Sequence, residues 1–148
     1  MTRRLQLALP IALWLGAAAA QEARPAFITI LPAEGSAPVH IAPAQVVRVA
    51  RAEGQTIIDT AAWVQQRTVE PVDAVARRLE AAGQRLLPFT DLGGGRIWLA
   101  ADRIVLVREA HDRHAAGAGA AIVMVGLRFG TDVAVRESVA EVMAMLGR

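Results

Sequence analysis

His111-Asp-Arg-His114 is the cluster in this chain with the clearest metal-ligand chemistry. Two imidazoles three residues apart could chelate one ion if the stretch were helical, with Asp112 or His40 completing the site. The surrounding run, Ala110 to Gly119, is rich in glycine and alanine and lies between strand patterns. Such a backbone does not hold ligands in place. A solvated loop is the plainer reading, with His111 and His114 as candidate metal ligands beside it. Nucleophilic chemistry has little to draw on. The only serines are Ser36, in a Pro/Gly turn, and Ser138, and there is neither a cysteine nor a G-x-S-x-G run. Gly93-Gly-Gly95 precedes a strand pattern rather than a helix, so it reads as a hairpin turn and not a phosphate cradle. Glu137 and Glu141 fall at a helix start, where they offset the macrodipole and read as caps rather than an acid/base pair. Asp59, His40 and Glu109 could line a hydrolytic cleft only if folding brought them together. The expectation is no catalytic residue, no cofactor and no enzyme.

Trp63 and Trp98 offer binding rather than catalysis. With Phe27, Phe89 and Phe129 they are the only aromatics beyond the first twenty residues. Both stand in strand-like patterns, and Trp98 alternates with Ile97 and Leu99, so it points to the face opposite theirs. The expectation is partial burial between two halves of the chain. The alternative is an exposed anchor for a partner.

The elements that position these residues recur. Val39 to Val49 lies over Ile97 to Val107, with apolar residues 39, 41, 46, 47 and 49 matching 97, 99, 104, 105 and 107. Gln55-Thr-Ile-Ile58 is then laid on Ala120-Ala-Ile-Val123. Val72, Val75, Ala76 and Leu79 match Val139, Val142, Met143 and Leu146, the i, i+3, i+4, i+7 stripe of a packed helix. Phe27–Leu31 with Val39–Ala42, and Phe89–Leu92 with Ile97–Leu99, read as strand pairs. Ile122 to Phe129 turns at Gly130-Thr-Asp132 and returns through Val133–Val135. Ser138-Val-Ala-Glu141 has the form of a capping box, Pro71 fits the first turn of its helix, and Gly83 and Gly147 sit where left-handed caps are favoured. The fold class expected is α+β. It comprises two degenerate repeats, residues 27–83 and 84–148, each of short antiparallel strands closed by one helix, packed together as one globular domain. A lone unit of about sixty residues would be marginal.

The first twenty residues are of another kind. Arg3 and Arg4, an apolar run from Leu5 to Leu15 and the small residues Gly16 to Ala20 have the order of a cleavable secretory signal, with Ala18 and Ala20 placed for cleavage after Ala20. The run is too short for a membrane span, contains Pro10, and is followed by no lipidated cysteine. A periplasmic or secreted protein is expected, touching the membrane only through the signal before cleavage. All 16 basic residues are arginine, and losing Arg3 and Arg4 balances the remainder against the 14 acidic residues. The pI near 10.8 reflects the absence of Lys, Tyr and Cys, and no basic stripe survives, which argues against nucleic acid. Held without disulfides, the exported chain depends on packing alone.

The second unit resembles the small FlbD-type flagellar proteins. The likeness runs over about residues 89–147 and is strongest at Val135-Arg-Glu-Ser-Val-Ala-Glu-Val142, like that family's V-x-E-S-x-x-E-V ending. The first unit carries a fainter copy. Members of that family are single units without a signal, whereas this chain is a tandem, and its Ala110–Gly119 loop is longer and lacks the family's Pro-Asp turn. The resemblance implies a small strand-rich fold and a place beside an envelope or flagellar assembly. The function expected is therefore an exported, non-catalytic interaction or structural module of the cell envelope, with an envelope protein as partner. The alternative is a periplasmic binder of a small ligand or metal through the His111–His114 loop.

Overall fold

Apolar residues at every second position bury one side of a strand, and two such runs joined by a short turn pair as a hairpin. The computed structural model describes residues 26–111, 114, 116–127 and 132–148. The expected signal at 1–20, Asp112, Phe129 and the Gly130-Thr131 turn lie outside them. The chain begins with the hairpin β1 (Ile28–Ile30) and β2 (Val39–Ile41), then a 3-10 turn at Pro43–Gln45. Strands β3 (Val46–Ala52), β4 (Gln55–Thr60) and β5 (Gln65–Thr68) follow, and helix α1 (Val72–Ala81) closes the unit. A second hairpin, β6 (Leu86–Thr90) and β7 (Arg96–Ala100), leads to a 3-10 turn at Ala101–Arg103. Strands β8 (Ile104–Glu109), β9 (Ala120–Met124) and β10 (Asp132–Val135) and helix α2 (Val139–Leu146) complete the chain. The fold is α+β, with antiparallel sheets and a helix after each group of strands. No helix among the described residues is long and apolar enough to cross a membrane.

The two halves agree in register as well as order. Ile28 faces Ile41 and Ile30 faces Val39 in the first hairpin, and Leu87 faces Leu99 and Phe89 faces Ile97 in the second. A bulge interrupts β3 between Val46 and Arg48, and another interrupts β8 between Ile104 and Leu106. Ile58 pairs with Val49 and Gln66, while Ile122 pairs with Val107 and Val133. Thr56, not Gln55, is therefore the counterpart of Ala120, one residue from the alignment read along the sequence. A one-residue slip turns every side chain to the other face, and Ile58 and Ile122, both fully buried, fix the register.

The largest sheet draws on both units, in the order β5-β4-β3-β7-β6; β10-β9-β8 and β1-β2 form the others. Strand β3 sits at its centre and buries side chains on both faces. Val46 and Val49 join Ile30, Ile58, Val75 and Leu79 under α1. Val47 and Ala50 join Phe89, Leu99, Ile122 and Val142 under α2. Leu86 and Ala100 of the second unit join the α1 core and Ile57 of the first joins the α2 core, so each core draws on both units and β3 belongs to both.

The helix ends follow local chemistry. Pro71 occupies the N-cap of α1 rather than its first turn, and its carbonyl accepts the Ala74 and Val75 N–H groups at 3.0 and 3.1 Å. Gly83 has φ +94, with its N–H on Glu80 O and the Gln84 N–H on Leu79 O, the left-handed termination that favours glycine. Gly147 does not repeat it: its φ is −79 and the helix simply stops. On α2 the buried stripe also shifts. Val142 is fully buried and Val139 and Leu146 pack against the core as expected, but Met143 is 53% exposed and Met145 packs in its place.

Ser138 and Glu141 make the expected capping box. The Glu141 N–H donates to Ser138 Oγ at 3.3 Å, and Glu141 Oε2 accepts the Ser138 N–H and hydroxyl, each at 2.8 Å. Hydrogen bonds from the Ser138 backbone and then its hydroxyl hold the Glu141 carboxyl below its ordinary value near 4.5. A carboxyl lowered in the folded state adds stability above its unfolded pKa, and loses it as pH falls through the folded one. An NMR titration should find Glu141 ionised below pH 4.5, with fraying at the start of α2 beginning only in more acid solution. In a Ser138→Ala variant the titration should move up towards the ordinary value.

Candidate functional site

Thr60 to Val64 is a turn whose polar groups converge. The Thr60 N–H and Oγ1 both donate to Val64 O, at 3.0 and 2.9 Å, and the Trp63 N–H donates to Thr60 O at 2.9 Å. The Ala61 N–H ties the turn to Gln45 O at 2.8 Å. Held this way, Trp63 has φ +63, a region that bulky side chains rarely adopt. Its side chain is displayed rather than packed: Trp63 is 63% exposed and Val64 is 60%. Trp63 therefore does not stand in a strand, and the expected partial burial does not hold for it. Its strand-like neighbours misled the reading because the turn follows β4 with no glycine or proline to announce it.

Beneath this tip is a cavity of about 140 Å³, lined by Arg48, Asp59, Trp63, Val64, Gly126 and Leu127. The bulge in β3 places Arg48 beside Asp59. Arg48 Nε donates to Asp59 Oδ2 at 2.6 Å, and Gln65 Nε2 donates to Asp59 Oδ1 at 2.9 Å. Both carboxylate oxygens are thus engaged, and the Thr60 hydroxyl that also lines the cavity donates to Val64 O. The arrangement suits binding: an apolar rim over a neutralised polar floor. Sequence reasoning missed Arg48 as a partner of Asp59. The available signal was an arginine and an aspartate each interrupting a buried apolar strand.

The other aromatic behaves as expected of a buried one. Trp98 is half-buried, packs against the α1 core, and donates Nε1 to Asp73 Oδ1 at 2.8 Å, so a β7 side chain meets the helix of the other unit.

His111 is exposed, whereas the His114 side chain is largely buried and held in place. His114 Nδ1 accepts the His111 N–H at 2.8 Å, and its Nε2 lies 3.2 Å from Asp132 Oδ2, which also accepts from Arg108 Nη2 at 2.8 Å. The His111 and His114 rings stack with centroids 6.2 Å apart. Both nitrogens of His114 are occupied in this arrangement. Among the described residues no group of three or more His, Asp or Glu is placed to hold a metal. His40 lies on β2 against Thr29 Oγ1 at 3.1 Å, and Glu109 faces a separate depression with Ser138, so neither adjoins Asp59.

Two glutamates perform a task that spacing alone did not reveal. Glu70 Oε1 accepts the Leu31 N–H at 3.1 Å and Glu137 Oε1 accepts the Thr90 N–H at 2.8 Å, at matching places in the two units. Arg78 pairs with Glu70. Glu137 is thus a clamp on the end of β6 and not a cap of α2.

Fold and site together define a small α+β protein in which a helix follows each group of strands and an exposed tryptophan tips a small cavity. No family model, no curated protein and no solved structure matches the chain.

Proposed function

We propose that this chain is an exported, non-catalytic interaction module of the cell envelope, and that it engages an envelope protein through Trp63. The observation that carries the reading is an exposed indole fixed in a left-handed conformation. Such a backbone is disfavoured by about 1–3 kcal/mol and persists only where its surroundings over-determine it. A strained, preorganised aromatic beside a cavity is the arrangement expected of a binding hot spot, since little freedom is lost when a partner covers it. The leader at residues 1–20 supports export, and the resemblance to small flagellar proteins supports a place beside an envelope or flagellar assembly.

The test is a Trp63→Gly variant. Glycine relieves the left-handed backbone but loosens the unfolded chain, so stability should change by no more than about 1 kcal/mol. Affinity purification of the mature wild type from cross-linked periplasm should recover a specific protein, and Trp63→Gly should lose it. Recovery by both proteins, or by neither, overturns the proposal.

A further inference from the structure

Strands β3 and β7 join the two units antiparallel, with Arg48 opposite Leu99 and Val49 opposite Trp98. Their repeat counterparts are β8 and β2. Continued past the two 3-10 turns on the same register, the line puts Ile41 opposite Leu106 and His40 opposite Val107. At its midpoint Arg103 Nη2 donates to Ala44 O at 2.6 Å. Matching bonds flank that point, Ala61 N–H to Gln45 O at 2.8 Å and Val125 N–H to Arg103 O at 3.0 Å. Equivalent segments running antiparallel about one point are related by a two-fold axis, so whatever joins β3 to β7 has its mirror in β2 and β8.

That second half is open. Among the described residues β2 pairs only with β1, and β8 only with β9. The consequence shows in burial: Val47 of β3 is fully buried, whereas Val105, its counterpart on β8, is 63% exposed and the adjoining Leu106 44%. An unpaired edge with exposed apolar side chains is a template for a strand. The first unit shows which strand this edge is built to take. We propose that the seam is a closing device, in which β2 of the same chain pairs with β8 on this register.

The chain has no cysteine, so a cross-link can be read without background. Directly opposed residues of an antiparallel pair lie within disulfide reach, while those two positions further along lie beyond it. With oxidised glutathione as the oxidant, a His40→Cys/Val107→Cys variant should form an intramolecular disulfide at least about tenfold faster than His40→Cys/Glu109→Cys. Equal rates, or no disulfide in either variant, overturn the closure. So does a disulfide that mass spectrometry finds only between chains, which would assign the edge to a second copy. Hydrogen exchange on the unsubstituted protein supplies the reading that needs no variant. Amides of β8 not bonded to β9 should be protected well beyond the rate of a free strand edge, and exchange at the free rate overturns the proposal.

Discussion

Truncating Phe89 to alanine should remove about 3–5 kcal/mol, and truncating Ile30 about 2–5 kcal/mol, from a fold whose total stability is on the order of 5–15 kcal/mol. These residues are repeat counterparts, facing Ile97 and Val39 across the two hairpins, but they lie in different cores. Phe89 is 2% exposed and Ile30 fully buried, so neither cavity opens to solvent. The larger consequence concerns cooperativity. Each core has its own helix, and a chain of two units could lose one and keep the other. Strand β3 argues otherwise: it supplies Val46 and Val49 to one core and Val47 and Ala50 to the other. Loss of either core strips one face of the strand that the remaining core needs. Urea unfolding of Phe89→Ala in a Trp63→Phe background should therefore show a single transition, with the same midpoint by circular dichroism and by the fluorescence of Trp98, although Trp98 packs on the other core. Two separated transitions, with only the second unit lost at the first, would show that β3 does not couple the cores.

Local patterning was enough to find most of the strands, both helices, the capping box and the repeat, because each depends on neighbours a few residues apart; it missed β5 at Gln65–Thr68 and ran β9 past its end at Met124. The i, i+3 spacing of Val72, Val75 and Leu79 fixes a buried stripe whatever else surrounds it. What patterning could not reach was set by distant contacts. Met143 has the spacing of a core residue, yet it is exposed while Met145 packs beside Val139, Val142 and Leu146. Trp63 has strand-like neighbours, yet the Ala61 bond to Gln45 and the Thr60–Val64 bonds turn the chain out. Arg48 meets Asp59 only because a bulge shifts one strand against the next. The glutamate clamps were within reach, since Glu70 and Glu137 occupy equivalent places before their helices. Their acceptance of Leu31 and Thr90 N–H groups still required the hairpins to be docked.

Gly119 marks the tightest approach in the second unit, and Gly119→Ala should destabilise the protein by about 3 kcal/mol, at the upper end of overpacking effects. A Cβ there would fall 2.5 Å from Arg136 O and 2.6 Å from Glu137 O. Both are backbone atoms, so no side chain can swing aside. Relief requires the strand end to move away, which breaks the 2.8 Å bond from the Gly119 N–H to Val135 O. It also draws Glu137 from the Thr90 N–H that it clamps at 2.8 Å. Gly117→Ala is the fitting comparison: nothing lies within 4 Å of its Cβ, and only its φ of +90 is at stake, for a loss of about 1–2 kcal/mol. If the damage passes through Glu137, then Gly119→Ala and Glu137→Ala share one contact and their losses will fall short of additive in a double-mutant cycle. Strict additivity would confine the effect to the clash itself, and a loss at Gly119 smaller than at Gly117 would mean the loop does not lie against the start of α2.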